Sequence, residues 1–85
     1  SESLRLYPPT WMFVRVARAA DRLPSGIAIA AGTKIYLSQY VSHRRAAAFA
    51  DADDFRPERF ASPPSPFSYF PFGGGARFCL GEALA

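Results

Sequence analysis

The sequence predicts a partial α+β segment: the end of a helix, a group of short strands, a long aromatic meander, a glycine loop with the only cysteine, and the start of another helix. Three observations lead there. Short aromatic and β-branched runs alternate with Gly- and Pro-containing turns. Eight prolines and six glycines in 85 residues leave little room for a long helix. Four of those glycines and the single cysteine fall together in "FPFGGGARFCLG", Phe70 to Gly81.

"SESLRLYPP" reads as the last turns of a helix stopped by Pro8 and Pro9. "WMFVRVAR", Trp11 to Arg18, has strand composition, and "IAIAAGTKIYL", Ile27 to Leu37, reads as two short strands around an Ala-Gly-Thr turn, with "RLPSG" separating the two groups. "VSHRRAAAFA" predicts a short helix centred on Ala46 to Ala48. The run "DADDFRPERFASPPSPFSYFPF" holds too many prolines for a regular element, and its aromatics argue against disorder. "LGEALA" has the composition of a helix start, so the glycine loop is expected to deliver Cys79 to a helix N-terminus. Both ends read as interrupted helices, and the chain as a piece of a larger domain.

Composition removes several function classes. The formal charge of +3 and pI near 9.5 come from nine arginines and one lysine scattered among apolar residues. That is not the clustered footprint of a nucleic-acid binder. No apolar run of about 18 residues and no signal peptide is visible. A single cysteine rules out an internal disulfide framework and fits a reducing compartment.

Several charged residues carry a plain reading from spacing alone. Glu2 and Arg5 stand on one helical face and by default form a surface pair worth a few tenths of a kcal/mol. Arg59 is by default a surface arginine, and His43 a histidine satisfied by a nearby backbone group. Arg15 lies in an apolar strand, where a buried charge would need a partner.

Cys79 is the chemical focus. Three consecutive glycines permit positive φ and close approach of a bound group. A helix N-terminus with Arg77 nearby favours the thiolate, which binds metals or attacks electrophiles. A small buried hydrophobe beside a flexible linker, a thiol-based redox module and an anion-binding module all remain open on these residues. A phosphate loop lacks its Lys-Ser/Thr ending, and a zinc site would have one Cys and one His for four ligands.

The run Phe72 to Gly81, "FGGGARFCLG", resembles the haem-ligand loop of cytochromes P450. "ESLR" at Glu2 to Arg5 is similar to the K-helix Glu-x-x-Arg of that family, and "FRPERF" at Phe55 to Phe60 to its meander segment, all in the family's order. The intervening "RLYPP", "AGT" and "HR" extend the resemblance over essentially all 85 residues. Arg45 and Ala46, Ala52 and Ala76 depart from the usual pattern, none of them at a ligand position.

The resemblance implies a mainly α fold with small β-sheets, of which residues 1–85 supply the haem-proximal, C-terminal part. It implies haem (iron protoporphyrin IX) held by the thiolate of Cys79, with Arg77 and Arg15 on its propionates, Phe72 shielding the sulfur, and Gly73, Gly75 and Gly81 giving backbone clearance. Glu2, Arg5 and Arg59 become a buried structural charge network, and Trp11, Met12 or Phe13 candidates for a substrate cavity. The implied activity is monooxygenation: O2 is activated reductively at iron and one oxygen atom enters a small organic substrate. The distal oxygen-handling residues would precede Ser1. A ferredoxin, a flavoprotein or a fused reductase domain would be the electron donor. The rival expectation is a truncated, non-catalytic piece that cannot retain haem. Composition suits a cytoplasmic bacterial enzyme, while the N-terminal membrane anchor of some family members would lie outside this stretch.

Overall fold

The computed structural model describes residues 1–85. Helix α1, Glu2–Leu6, is a single turn and a half, with the Ser1 hydroxyl accepting from the Leu4 N–H (3.4 Å). Glu2 lies in its first turn and Arg5 in its last, each at the end of the helix dipole that favours its charge. Such a short helix is marginal alone and depends on packing.

Strands β1, Met12–Val16, and β4, Lys34–Ser38, pair antiparallel with Phe13 opposite Leu37 and Arg15 opposite Ile35. Between them a small ribbon pairs β2, Asp21–Arg22, with β3, Ala28–Ile29. The segment "RLPSG", a separator by composition, therefore belongs partly to a strand and partly to a hairpin turn. Leu23 N–H bonds to Ile27 C=O (2.8 Å) and Gly26 N–H to Leu23 C=O (2.8 Å), which closes that turn. A two-residue strand has no periodicity to read, and only its pairing defines it.

The Ser38 hydroxyl caps helix α2, Gln39–Ser42, accepting from the Val41 N–H (3.2 Å). The helix expected over Ala46 to Ala48 does not form. Ala48 and Phe49 N–H groups both bond to Arg45 C=O, closing one turn, and the chain then enters the left-handed region at Asp51 (φ 48°). Helix propensity loses here because arginine side chains claim the carbonyls of His43, Ala50, Asp51, Ala52 and Asp54. The proline-rich run, expected to be wholly irregular, contains a 3-10 turn at Pro57–Ala61, begun by a proline where no N–H is needed. Two further 3-10 turns follow, Gly75–Arg77 and Glu82–Leu84. Cys79 therefore does not stand at an α-helix N-terminus: its C=O and that of Gly81 are met by i+3 amides, Glu82 N–H and Leu84 N–H.

The core is small and polar. Nine residues are buried, and four of them are Glu2, Arg5, Gln39 and His43, beside Leu6, Phe49, Ala52 and two prolines, Pro8 and Pro71. The chain is organised around a charge hub more than around an oily centre. No helix is long and apolar enough to cross a membrane.

Candidate functional site

The hub ties α1 to the segments that follow the sheet. Arg5 is completely buried and sends Nε to Glu2 Oε2 (2.7 Å) and Nη2 to Glu2 Oε1 (2.6 Å). Its guanidinium also donates to the carbonyls of His43 (2.8 Å), Ala52 (2.6 Å) and Asp54 (3.1 Å). Glu2 Oε1 accepts in addition from Arg59 Nε (2.9 Å) and from the Arg56 backbone N–H (3.0 Å). Burial alone would push the Glu2 carboxyl upward, but the bonds from Arg5, Arg56 and Arg59 outweigh it and hold the group at about 2. The surface pair that spacing alone suggests is thus a buried, fully bonded one.

His43 links this hub to the segment leading into the glycine loop. The Phe70 N–H donates to Nε2 (2.9 Å), which places the ring proton on Nδ1, facing the Arg5 C=O (3.2 Å). The imidazole packs against Tyr69 and edge-on against Phe70, each with ring centroids 5.2 Å away. Burial pulls its pKa below 6.5, against the raising effect of the Arg5 carbonyl. The expectation of a histidine satisfied by backbone groups matches this geometry.

From Phe70 the chain turns sharply. Gly73 N–H bonds to Phe70 C=O (3.0 Å), and the Cys79 N–H returns to Phe72 C=O (3.0 Å), closing a compact loop around the glycines. Gly73 (φ +79°) and Gly75 (φ +68°) both occupy the left-handed region. No atom lies within 4 Å of the direction a side chain would take at Gly74 or Gly75, so the loop presents bare backbone. A side chain at Gly81 would meet Cys79 Sγ at 3.7 Å, an ordinary contact, so space alone does not demand glycine there.

Cys79 is exposed and faces a cavity of about 580 Å³ between this loop and the β1–β4 ribbon. Arg15, Arg77, Phe72, Gly73 and Phe13 line it as well; Gly75 and Gly81 do not. Trp11 and Met12 are likewise not in its wall. Arg15 is exposed rather than buried, because the two-stranded ribbon has an open face. Its guanidinium lies over the Phe13 ring (4.7 Å) and donates to the Val14 carbonyl (3.0 Å). The chain's carboxylate ion pairs use Arg5, Arg44, Arg56 and Arg59; Arg15 and Arg77 take part in none.

The cavity thus combines a thiol, two guanidiniums outside any carboxylate ion pair, aromatic walls and one glycine of the loop, Gly73. That set fits a flat apolar group with a thiolate-binding metal and carboxylate tails: sulfur for the metal, planar forks for carboxylates, aromatic side chains and Gly73 for the face. Sequence reasoning missed Gln39, a further residue in the wall, buried at 1% exposure. A lone glutamine at a strand end carries no signal of its own.

Comparison with known proteins identifies the family. A cytochrome P450 family profile matches residues 1–85. Cyclooctatin synthase of Streptomyces melanosporofaciens is 40% identical over 88 residues, covering 99% of this chain and 19% of the relative. Beta-amyrin 28-monooxygenase of Solanum lycopersicum is 42% identical over 85 residues, covering 99% and 18%. The crystal structure of CYP175A1 from Thermus thermophillus superposes with a TM-score of 0.83 at 43% identity, over 95% of this chain and 21% of that one. The chain spans about a fifth of the length of these relatives. With matching fold, matching sequence along its whole length, and a cysteine loop facing two free arginines, the chain belongs to the cytochrome P450 family.

Proposed function

We propose that residues 1–85 form the haem-proximal wall of a monooxygenase, with Cys79 as the thiolate ligand of the iron. The observation that carries this is the shared cavity, in which Cys79, Arg15 and Arg77 face one space beside a loop of positive-φ glycines. Bound there, haem would supply the activation of O2 and the transfer of one oxygen atom to an organic substrate, with Cys79 as its electron-rich sulfur donor.

The residues of this chain have distinct tasks. Cys79 donates sulfur, and the Leu80 and Gly81 amides, which bond to no backbone carbonyl, are free to temper its charge. Arg15 and Arg77 offer their planar forks to the haem carboxylates. Phe72, in the same wall, would shield the sulfur once the ring is seated, and Gly73 would keep the backbone clear of it, while Gly75 shapes the loop from outside the cavity. Glu2, Arg5 and Arg59 position the loop through His43 and Phe70 and touch neither haem nor substrate. Electrons come from a ferredoxin, a flavoprotein or a fused reductase. These 85 residues supply one wall of the pocket.

The test is the absorption spectrum of the reduced, CO-bound protein, taken on the complete polypeptide that carries this chain. A strongly red-shifted Soret band, absent from Cys79→Ser, is the expected result. A folded, haem-supplied protein without that band overturns the reading and leaves Cys79 to thiol chemistry.

A further inference from the structure

Gln39 is 1% exposed, and its Oε1 is buried with no hydrogen-bond partner. An orphaned carbonyl in a protein interior costs roughly 1–3 kcal/mol, so such an atom requires an explanation. Arg44 Nη1 is the other orphaned atom, but its guanidinium is stacked on Tyr40 at 3.8 Å and lies outside the cavity. Gln39 instead forms part of the wall that holds Arg15, Arg77 and Cys79.

The backbone around Gln39 leaves it little freedom to escape. The Ser38 hydroxyl accepts from the Val41 N–H of α2, and the Tyr40 N–H bonds to the Trp11 C=O (3.2 Å) just before β1, anchoring the residues on both sides of Gln39. Arg15, on the same ribbon, is held only by a carbonyl of its own neighbour and the Phe13 ring. A carboxamide has one accepting and one donating end. This cavity's wall offers guanidiniums, Arg15 and Arg77, for the first and no carboxylate of the chain's own for the second.

The geometry points to Gln39 as a third polar contact for the haem carboxylates: its amide N–H donates to a propionate oxygen while Oε1 accepts from the Arg15 guanidinium. This rests on the haem reading above. Gln39 thereby draws Arg15 off the Phe13 face and fixes its fork towards the carboxylate.

The experiment measures transfer of haem from the complete, haem-loaded polypeptide to excess apomyoglobin, repeated after reconstitution with haem dimethyl ester, which has no free carboxylates. Gln39→Leu is expected to keep the thiolate-type CO spectrum and to lose haem roughly tenfold faster than wild type, the ratio corresponding to one charge-assisted hydrogen bond. With the ester, both proteins are expected to lose it at equal rates. Equal rates with ordinary haem overturn the proposal, as does a difference that persists in full with the ester, which would mean that the amide serves only packing. Should Gln39→Leu not fold, Gln39→Glu has the same shape and sets a charge against the carboxylate. Wild-type retention in that variant overturns the proposal equally. A missing thiolate band in wild type itself sinks the haem reading, and with it this inference.

Discussion

The two arginine sites of this molecule are opposites. Arg5 lies at zero exposure with its N–H groups on a carboxylate and three carbonyls, whereas Arg15 and Arg77 stand in a cavity wall with no carboxylate in reach. The hub is saturated by the chain itself. The cavity wall has polar capacity that the chain does not use. The same residue type therefore serves cohesion in one place and reception in the other, and hydrogen-bond saturation distinguishes them.

The sharpest way to break the comparison is to unpair the hub. Arg5→Leu leaves Glu2 charged in the interior and is expected to destabilise the complete polypeptide by about 3–5 kcal/mol in urea unfolding. A loss below about 1 kcal/mol would show that the hub is not the organising centre.

His43→Leu comes next, at about 1–3 kcal/mol, because the Phe70 N–H and the Arg5 C=O lose their partner. It also tests pH dependence. Since His43 has its pKa lowered in the fold, its contribution is complete above 6.5 and falls away as pH drops below that value. Arg5 and Arg44 nearby oppose its charging, and Tyr69 faces the ring. Glu2, lowered from 4.5 to about 2, contributes fully above 4.5 and loses that contribution as pH falls towards 2. Wild type should therefore lose stability in two stages, the upper one missing in His43→Leu; an unchanged upper stage would dissociate His43 from it.

Effects shrink on the cavity side. Gly75→Ala, at φ +68°, is expected to cost about 1–2 kcal/mol through backbone strain alone, since nothing crowds the new methyl group. Cys79→Ser is exposed and should change haem-free stability by no more than about 0.5 kcal/mol while abolishing the thiolate spectrum. A large stability loss there would place Cys79 with the hub instead.

Much of the site was legible because it is local. Phe72, Gly73, Arg77 and Cys79 of the cavity wall lie within one short stretch, so the motif and the loop that it builds are nearly the same object. The strands β1 and β4 were readable from their apolar and β-branched runs for a similar reason. Elements stabilised from a distance were not. Ala46 to Ala48 has helical composition, but carbonyls on either side of it are taken by Arg5 and Arg59 from other segments. Local propensity of a few tenths of a kcal/mol per residue cannot compete with several charge-assisted bonds.

By itself, then, the sequence determined the chemistry available: one sulfur, a glycine loop with room beside it, and arginines in excess of what surface pairing needs. Spacing alone did not say which arginines are used up: the family resemblance set Arg5 and Arg59 apart from Arg15 and Arg77, and the tertiary structure supplies the bonds that occupy the first two. Arg15 lies in an apolar run that would have required a partner had it been buried and is open, while Glu2 and Arg5 read from spacing as a surface pair and are sealed inside. Gln39 gained its place in the cavity the same way. Burial and hydrogen-bond saturation depend on segments dozens of residues apart meeting in space, and no local pattern encodes that meeting.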